Sequence, residues 1–103
     1  MKEPAIPQSV VEQLRRFFRR NGYVRRKNSE RHRELGSRLY RKGDEVRLVA
    51  GSREELATIR QLLSRAGFKP GRPFVKGRQW RQPVYGRDEV ARFLALLGET
   101  HPV

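Results

Sequence analysis

The sequence predicts an α+β domain of the order αββαββα, an antiparallel sheet with helices on one face. Two observations carry this. Apolar residues recur at helical spacing in three separate stretches, 8–20, 53–66 and 87–97. Residues 45–50 alternate, and residues 74–76 and 79–85 flank a Gly turn, as strands and hairpins do. The order is therefore helix, strands, helix, hairpin, helix, with an antiparallel sheet whose one face the helices cover.

The first helix spans 8–20. Val10, Val11, Leu14, Phe17 and Phe18 form one stripe, and Arg15, Arg16, Arg19 and Arg20 lie off it. Ser9 is the expected N-cap, with Glu12 completing a capping box, and Asn21-Gly22 is expected to stop the helix in the left-handed conformation. Tyr23 to Lys27 reads as an Arg-rich strand. Ser29 to Leu35 fits a short helix, and Ser37 to Arg41 fits a strand ahead of a turn at Lys42-Gly43-Asp44. In the strand 45–50, Val46, Leu48 and Ala50 share one face and Glu45, Arg47 and Val49 the other. Ser52-Arg53-Glu54-Glu55 is a capping box opening a helix whose buried face is Leu56, Ile59, Leu62, Leu63 and Ala66. Gly67 fits its end, with Phe68 folded back. A strand near 74–76 returns through Gly77-Arg78 into 79–85, where Pro83 favours an edge or a bulge. There Gln79, Arg81, Pro83 and Tyr85 share one face, opposite Trp80, Gln82 and Val84. The closing helix buries Val90, Phe93, Leu94 and Leu97 and ends at Gly98.

With 103 residues the chain is one domain, or half of a symmetric pair. The ordered unit is expected over 8–98, with tails at 1–7 and 99–103. The absence of cysteine excludes disulfides, thiolate metal sites and a Cys nucleophile. No apolar run is long enough for a membrane span and no signal peptide is seen, so a cytoplasmic protein is expected, nucleoid-associated if it binds DNA. There are 24 Lys+Arg against 11 Asp+Glu, a net charge of +13. Residues 15–42 carry +10 of it and residues 69–87 carry +6, the remaining segments being neutral or acidic. Nineteen of the basic residues are Arg, which suits bidentate phosphate and guanine contacts. Such clustering points to nucleic acid as the partner.

The same residues resemble a known family. The order αββαββα, with Leu14-Arg15-Arg16-Phe17-Phe18-Arg19-Arg20-Asn21-Gly22 on the first helix, is similar to the LAGLIDADG homing endonuclease domain. Leu14, Phe17, Phe18 and Gly22 fit the nine-residue motif. Gly22-Tyr23-Val24-Arg25, Val46 to Val49 with Ser52 to Leu63, and Arg81 to Gly86 with Val90 to Leu97 resemble the later elements. The resemblance implies a curved sheet, duplex DNA as partner and a homodimer. The departures bear on chemistry. The family's metal-binding acid before the last Gly is here Asn21, and its other motif acid is Arg19. A neutral amide does not supply the charge that holds a divalent ion. Small residues that let two motif helices pack closely are here Arg15 and Arg16, which argues against that dimer. The scaffold is therefore expected without cleavage, without metal and without cofactor.

The expected nucleic-acid contacts are Arg25, Arg26 and Lys27, then Arg47, then Lys76, Arg78, Gln79 and Arg81. Asn21-Gly22 is either a helix stop or a backbone phosphate contact. Trp80 either stacks on an unpaired base or, preferably, packs. Tyr23, Tyr40 and Tyr85 are read as structural. His32, Glu34 and Asp44 show no catalytic spacing, and His101 falls in the tail. Duplex DNA on a basic sheet face is the leading partner. The alternatives are structured RNA or a ribosome-associated role, a nuclease retaining activity through other carboxylates, and an acidic protein partner.

Overall fold

The computed structural model describes residues 6–26 and 43–99. Its elements are α1 (Gln8–Asn21), β1 (Tyr23–Arg25), β2 (Glu45–Ala50), α2 (Arg53–Arg65), β3 (Phe74–Lys76), β4 (Gln79–Tyr85) and α3 (Arg87–Leu97). The α+β order is the expected one. The short helix over 29–35, the strand over Ser37–Arg41, and Lys27, His32, Glu34, Tyr40 and His101 lie outside the described residues.

The four strands form one antiparallel sheet in the order β1-β2-β4-β3. Its centre is the pairing of β2 with β4, in register from Glu45↔Tyr85 to Ala50↔Trp80. Strand side chains alternate between faces, so this register puts Val46, Leu48, Ala50 and Val84 on one side. There they meet Val10, Leu14 and Phe18 of α1, Ile59 and Leu63 of α2, and Val90, Phe93 and Leu97 of α3. Phe93 sits edge-on between Phe18 and Phe68, with ring centroids 5.8 and 5.5 Å away. Such aromatic pairs add roughly 0.5–1.5 kcal/mol beyond area burial.

Gln82 shares the helix-covered face and is fully buried. Its amide is satisfied there. Nε2 donates to the carbonyls of Gly71 (2.8 Å) and Pro83 (2.9 Å), and Oε1 accepts from Arg60 Nη1 at 2.7 Å. A buried polar group paired in this way avoids the desolvation penalty of an orphan. Pro83 was expected at an edge or bulge, and the structure gives the reason it is tolerated in an inner strand. It stands past the end of β3, which reaches only Phe74↔Arg81, and its carbonyl accepts the Gly71 N–H at 2.9 Å.

The helix ends require two corrections. Pro7, not Ser9, is the N-cap of α1, and no side-chain cap bond forms there. Proline presets its own φ, and its carbonyl accepts from Val10 and Val11 instead. Gly22 is not left-handed: its φ is −75°, in extended backbone. Glycine is needed there for a close approach. A Cβ would stand 2.7 Å from the Phe18 carbonyl oxygen and 2.9 Å from Phe18 Cα. The α2 cap follows expectation, with Glu55 N–H donating to Ser52 Oγ at 3.1 Å. The Glu55 carboxylate reaches the Gly51 N–H at 3.0 Å, one residue earlier than in the usual box. Gly67 (φ +84°) and Gly98 (φ +69°) close α2 and α3 left-handedly, and Phe68 folds back into the core as expected. Gly77 (φ +66°) with no positive φ at Arg78 makes the two-residue hairpin a type II′ turn.

Several arginines of the cationic excess hold the helices together. Arg15 Nε donates to the Leu97 carbonyl at the end of α3 (2.9 Å), and Arg19 pairs with Glu99 at 2.6 Å. Arg92 caps α2 through the Gly67 carbonyl (2.8 Å) while lying over the Phe68 ring. Arg20 donates to the Val49 carbonyl (2.9 Å) and pairs with Glu55, joining the end of α1 to β2 and the start of α2. Cations at helix C-termini complement the free carbonyls and the helix dipole.

Two outcomes follow for stability. Gly22→Ala is expected to lose about 1–3 kcal/mol in urea unfolding, as overpacking does. Gly43→Ala, where a Cβ meets nothing within 4 Å, serves as the neutral control. The Arg20 guanidinium, then the Gly51 N–H, hold the Glu55 carboxyl below its ordinary pKa. A depressed carboxylate stabilises the fold above its unfolded value and stops doing so as pH falls through its folded value. Unfolding midpoints should therefore drop on acidification below about pH 4.3, and Glu55→Gln should flatten part of that decline.

Candidate nucleic-acid interface

The register that buries one face of the sheet defines the other. Three rows cross this open face. The first is Arg25–Glu45–Tyr85, the second Tyr23–Arg47–Pro83, and the third Val49–Arg81–Phe74. Gln79 and Lys76 follow at the hairpin end. Rows on one face of a strand are spaced by roughly 6.8 Å.

Glu45 is the one acidic strand residue on this face among the described residues, and its side chain is only 5% exposed. Arg47 binds it with both ends of its fork, Nε to Oε2 at 2.9 Å and Nη2 to Oε1 at 3.1 Å. Arg25 Nη1 lies 3.7 Å from the same carboxylate. The Glu45 hydrogen bonds raise the Arg47 pKa further, so this guanidinium is permanently charged. Arg47 also donates to the Tyr23 hydroxyl. Its Cζ lies 5.4 Å from the Tyr23 ring centroid and 5.0 Å from that of Phe74. Tyr23, Arg47 and Phe74 thus form a continuous stack of rings and guanidinium across the sheet.

The expected contact residues separate on this map. Arg25, Arg47, Lys76, Gln79 and Arg81 share the open face, and Arg78 stands at the hairpin tip beside them. Lys76, Arg78 and Arg81 have no acidic partner among the described residues, and Arg81 Nε makes no hydrogen bond. Arg47, by contrast, is 14% exposed and held by Glu45. Arg26 follows β1 and lies 3.4 Å from Asp44. Lys27 is outside the described residues. Leu14 and Phe18 of the motif are core, Phe17 packs at its margin, and Asn21 is exposed at the end of α1. The Gly22 N–H donates to the Phe18 carbonyl at 2.8 Å, so it serves as the helix stop. Trp80 faces the helices and packs against the core.

Tyr23, Phe74, Tyr85 and Glu45 were not among the expected site residues. Their signal was present, since Tyr23 stands two residues from Arg25 and Tyr85 four from Arg81. Only the register between strands makes it legible. No three His, Asp or Glu side chains among the described residues group closely enough to hold a metal ion. No described helix is long and apolar enough to cross a membrane. Comparison with protein families, curated proteins and solved structures gives no match.

Removing Glu45 strands two guanidinium groups beside each other. Glu45→Ala is expected to lower unfolding free energy by roughly 1–3 kcal/mol, less than for a fully buried pair because Arg25 reaches solvent. Glu45→Gln, which keeps one acceptor, should fall between; chemical denaturation distinguishes the three.

Proposed function

We propose that this chain is a nucleic-acid-binding domain that docks its ligand on the open face of the sheet and does not cleave it. The observation that carries the reading is the cluster of Lys76, Arg78 and Arg81 around the β3–β4 hairpin, cations with no acidic partner among the described residues, beside a sheet face that no described helix covers. A polyphosphate supplies the missing counter-charges. Arg25 and Arg26 at the far end of the face extend the cationic track, although each already leans on a carboxylate.

Binding without cleavage is supported by Asn21. It stands where the LAGLIDADG resemblance expects a metal-binding carboxylate, and an amide is neutral. The element order αββαββα supports the same scaffold as part of this proposal. Duplex DNA is favoured as a second reading by one observation. Gln79 and Arg81 share a face of a two-stranded ribbon, an element that fits the major groove, where Gln reads adenine and Arg reads guanine.

Binding of fluorescent DNA and RNA measured over a salt series tests the proposal. Log K should fall linearly with log[salt], by about 0.9 per duplex phosphate neutralised and about 0.7 for a single strand. Lys76→Ala with Arg78→Ala, both exposed, should reduce that slope by about 1.4–1.8 without changing the circular dichroism spectrum. Absence of salt-dependent binding to any of these polymers at about 100 mM salt overturns the reading, given that non-specific binding alone is micromolar or weaker there.

A further inference from the structure

We infer that the open face prefers strands with unpaired bases, which stack on the row Tyr23–Arg47–Phe74 and on Tyr85, with phosphates held by the cations at the two ends of the face. This inference rests on the proposal that the open face docks nucleic acid, and it names the form of the ligand.

The argument starts from what the centre of the face offers. Across the two middle strands stand Glu45, Arg47 and Val49 on β2 and Gln79, Arg81, Pro83 and Tyr85 on β4, with the donors Gln79 and Arg81 set toward the hairpin end. Arg47 has already directed its fork at Glu45 and Tyr23. A base pair in a groove shows the protein its edge and is read by hydrogen bonds. Away from Gln79 and Arg81, toward Tyr85, this face has few to give. Val49 and Pro83 are themselves buried there, and the surface left open is that of the rings beside them. Tyr23 is 37% exposed and Tyr85 54% exposed, two of the large hydrophobic side chains left most open among the described residues. Arg47 holds Tyr23 on one side and the Gly71 backbone lies against the Tyr85 ring, yet both rings keep open surface on the face opposite the core.

Rings and guanidinium planes stack on the faces of bases. In a duplex those faces are covered by neighbouring pairs. In a single strand, or a looped-out segment, they are free. The bidentate Glu45 contact fixes the Arg47 plane, so the stack is formed before a ligand arrives and little side-chain entropy is lost on binding. Charge sets the class of ligand. Lys76 and Arg78 flank the rings on one side and Arg25 on the other, with Arg81 in the row of Phe74, which suits a phosphate backbone running past the rings. A neutral aromatic ligand would leave these cations unused.

The test uses the full chain, a labelled oligothymidine of about 12 nucleotides and a blunt duplex of equal length, in fluorescence anisotropy at matched salt. The single strand should bind at least about tenfold tighter. Tyr23→Leu and Tyr85→Leu keep apolar bulk and remove the ring. Each should weaken single-strand binding at least about fivefold while leaving duplex binding unchanged. Tyr23→Phe and Tyr85→Phe should restore it, which separates a lost ring from a disturbed fold. Equal or tighter duplex binding, or Leu variants that bind the single strand like wild type, overturns the inference and leaves the docking proposal standing. Failure of both polymers to bind in a salt-dependent way overturns the docking proposal, and the inference with it.

Discussion

The pairing of β2 with β4 is the constraint on which the rest depends. Six residues on each strand are locked in register, and every second side chain is thereby assigned to one face. A slip of one residue would drive Arg47 and Glu45 into the helices and turn Leu48 out to solvent. The helices meet the sheet because that register presents Val46, Leu48, Ala50 and Val84 to them. It equally dictates that the second face collects Arg25, Glu45, Arg47 and Arg81. The core and the candidate interface are two consequences of one alignment.

The positive charge then divides into two populations. One is structural. Arg15, Arg20, Arg60 and Arg92 each donate to a backbone carbonyl at a helix end, strand end or loop. In a chain with a small core, these contacts join elements that apolar packing alone touches only along narrow stripes. The other population, Lys76, Arg78 and Arg81, lies on or beside the open face without acidic partners among the described residues. A net charge of +13 is therefore a poor measure of binding capacity. The discriminating quantity is which guanidinium groups have no internal partner.

Element identity was legible in the sequence because it depends on local pattern. The period of Leu56, Ile59, Leu62 and Leu63, the Ser52 cap and the left-handed stops at Gly67 and Gly98 are read within one turn of helix. The faces of β2 and β4 were legible for the same reason. Errors fell where the deciding partner was elsewhere or the local choice was close. Gly22 looked like a left-handed stop, yet its requirement is the proximity of Phe18, a steric fact of the chain's path out of α1. Ser9 was a reasonable cap on type alone, and Pro7 took the role. Gln82 is a polar residue on the helix-covered face, and the partners that satisfy it, Arg60 and Gly71, are distant in sequence. The candidate site was half legible. Its cations stand out by composition, whereas its rings do not, because Tyr23, Phe74 and Tyr85 come from three different strands.

Glu45 shows why a single acid belongs in so basic a face. Without it, Arg25 and Arg47 would repel each other and both side chains would extend into water as separate charges. With it, Arg47 is drawn down onto the sheet, its fork satisfied and its plane set beside two rings. One negative charge thereby fixes the Arg47 guanidinium between two rings. The cations without an acidic partner among the described residues, Lys76, Arg78 and Arg81, lie toward the hairpin. A face organised in this way is cationic at its margins and planar at its centre. Under the proposed function, that separation favours a ligand carrying charge on its backbone and exposed π-faces on its bases, which an uninterrupted field of extended arginines would not distinguish from any other polyanion.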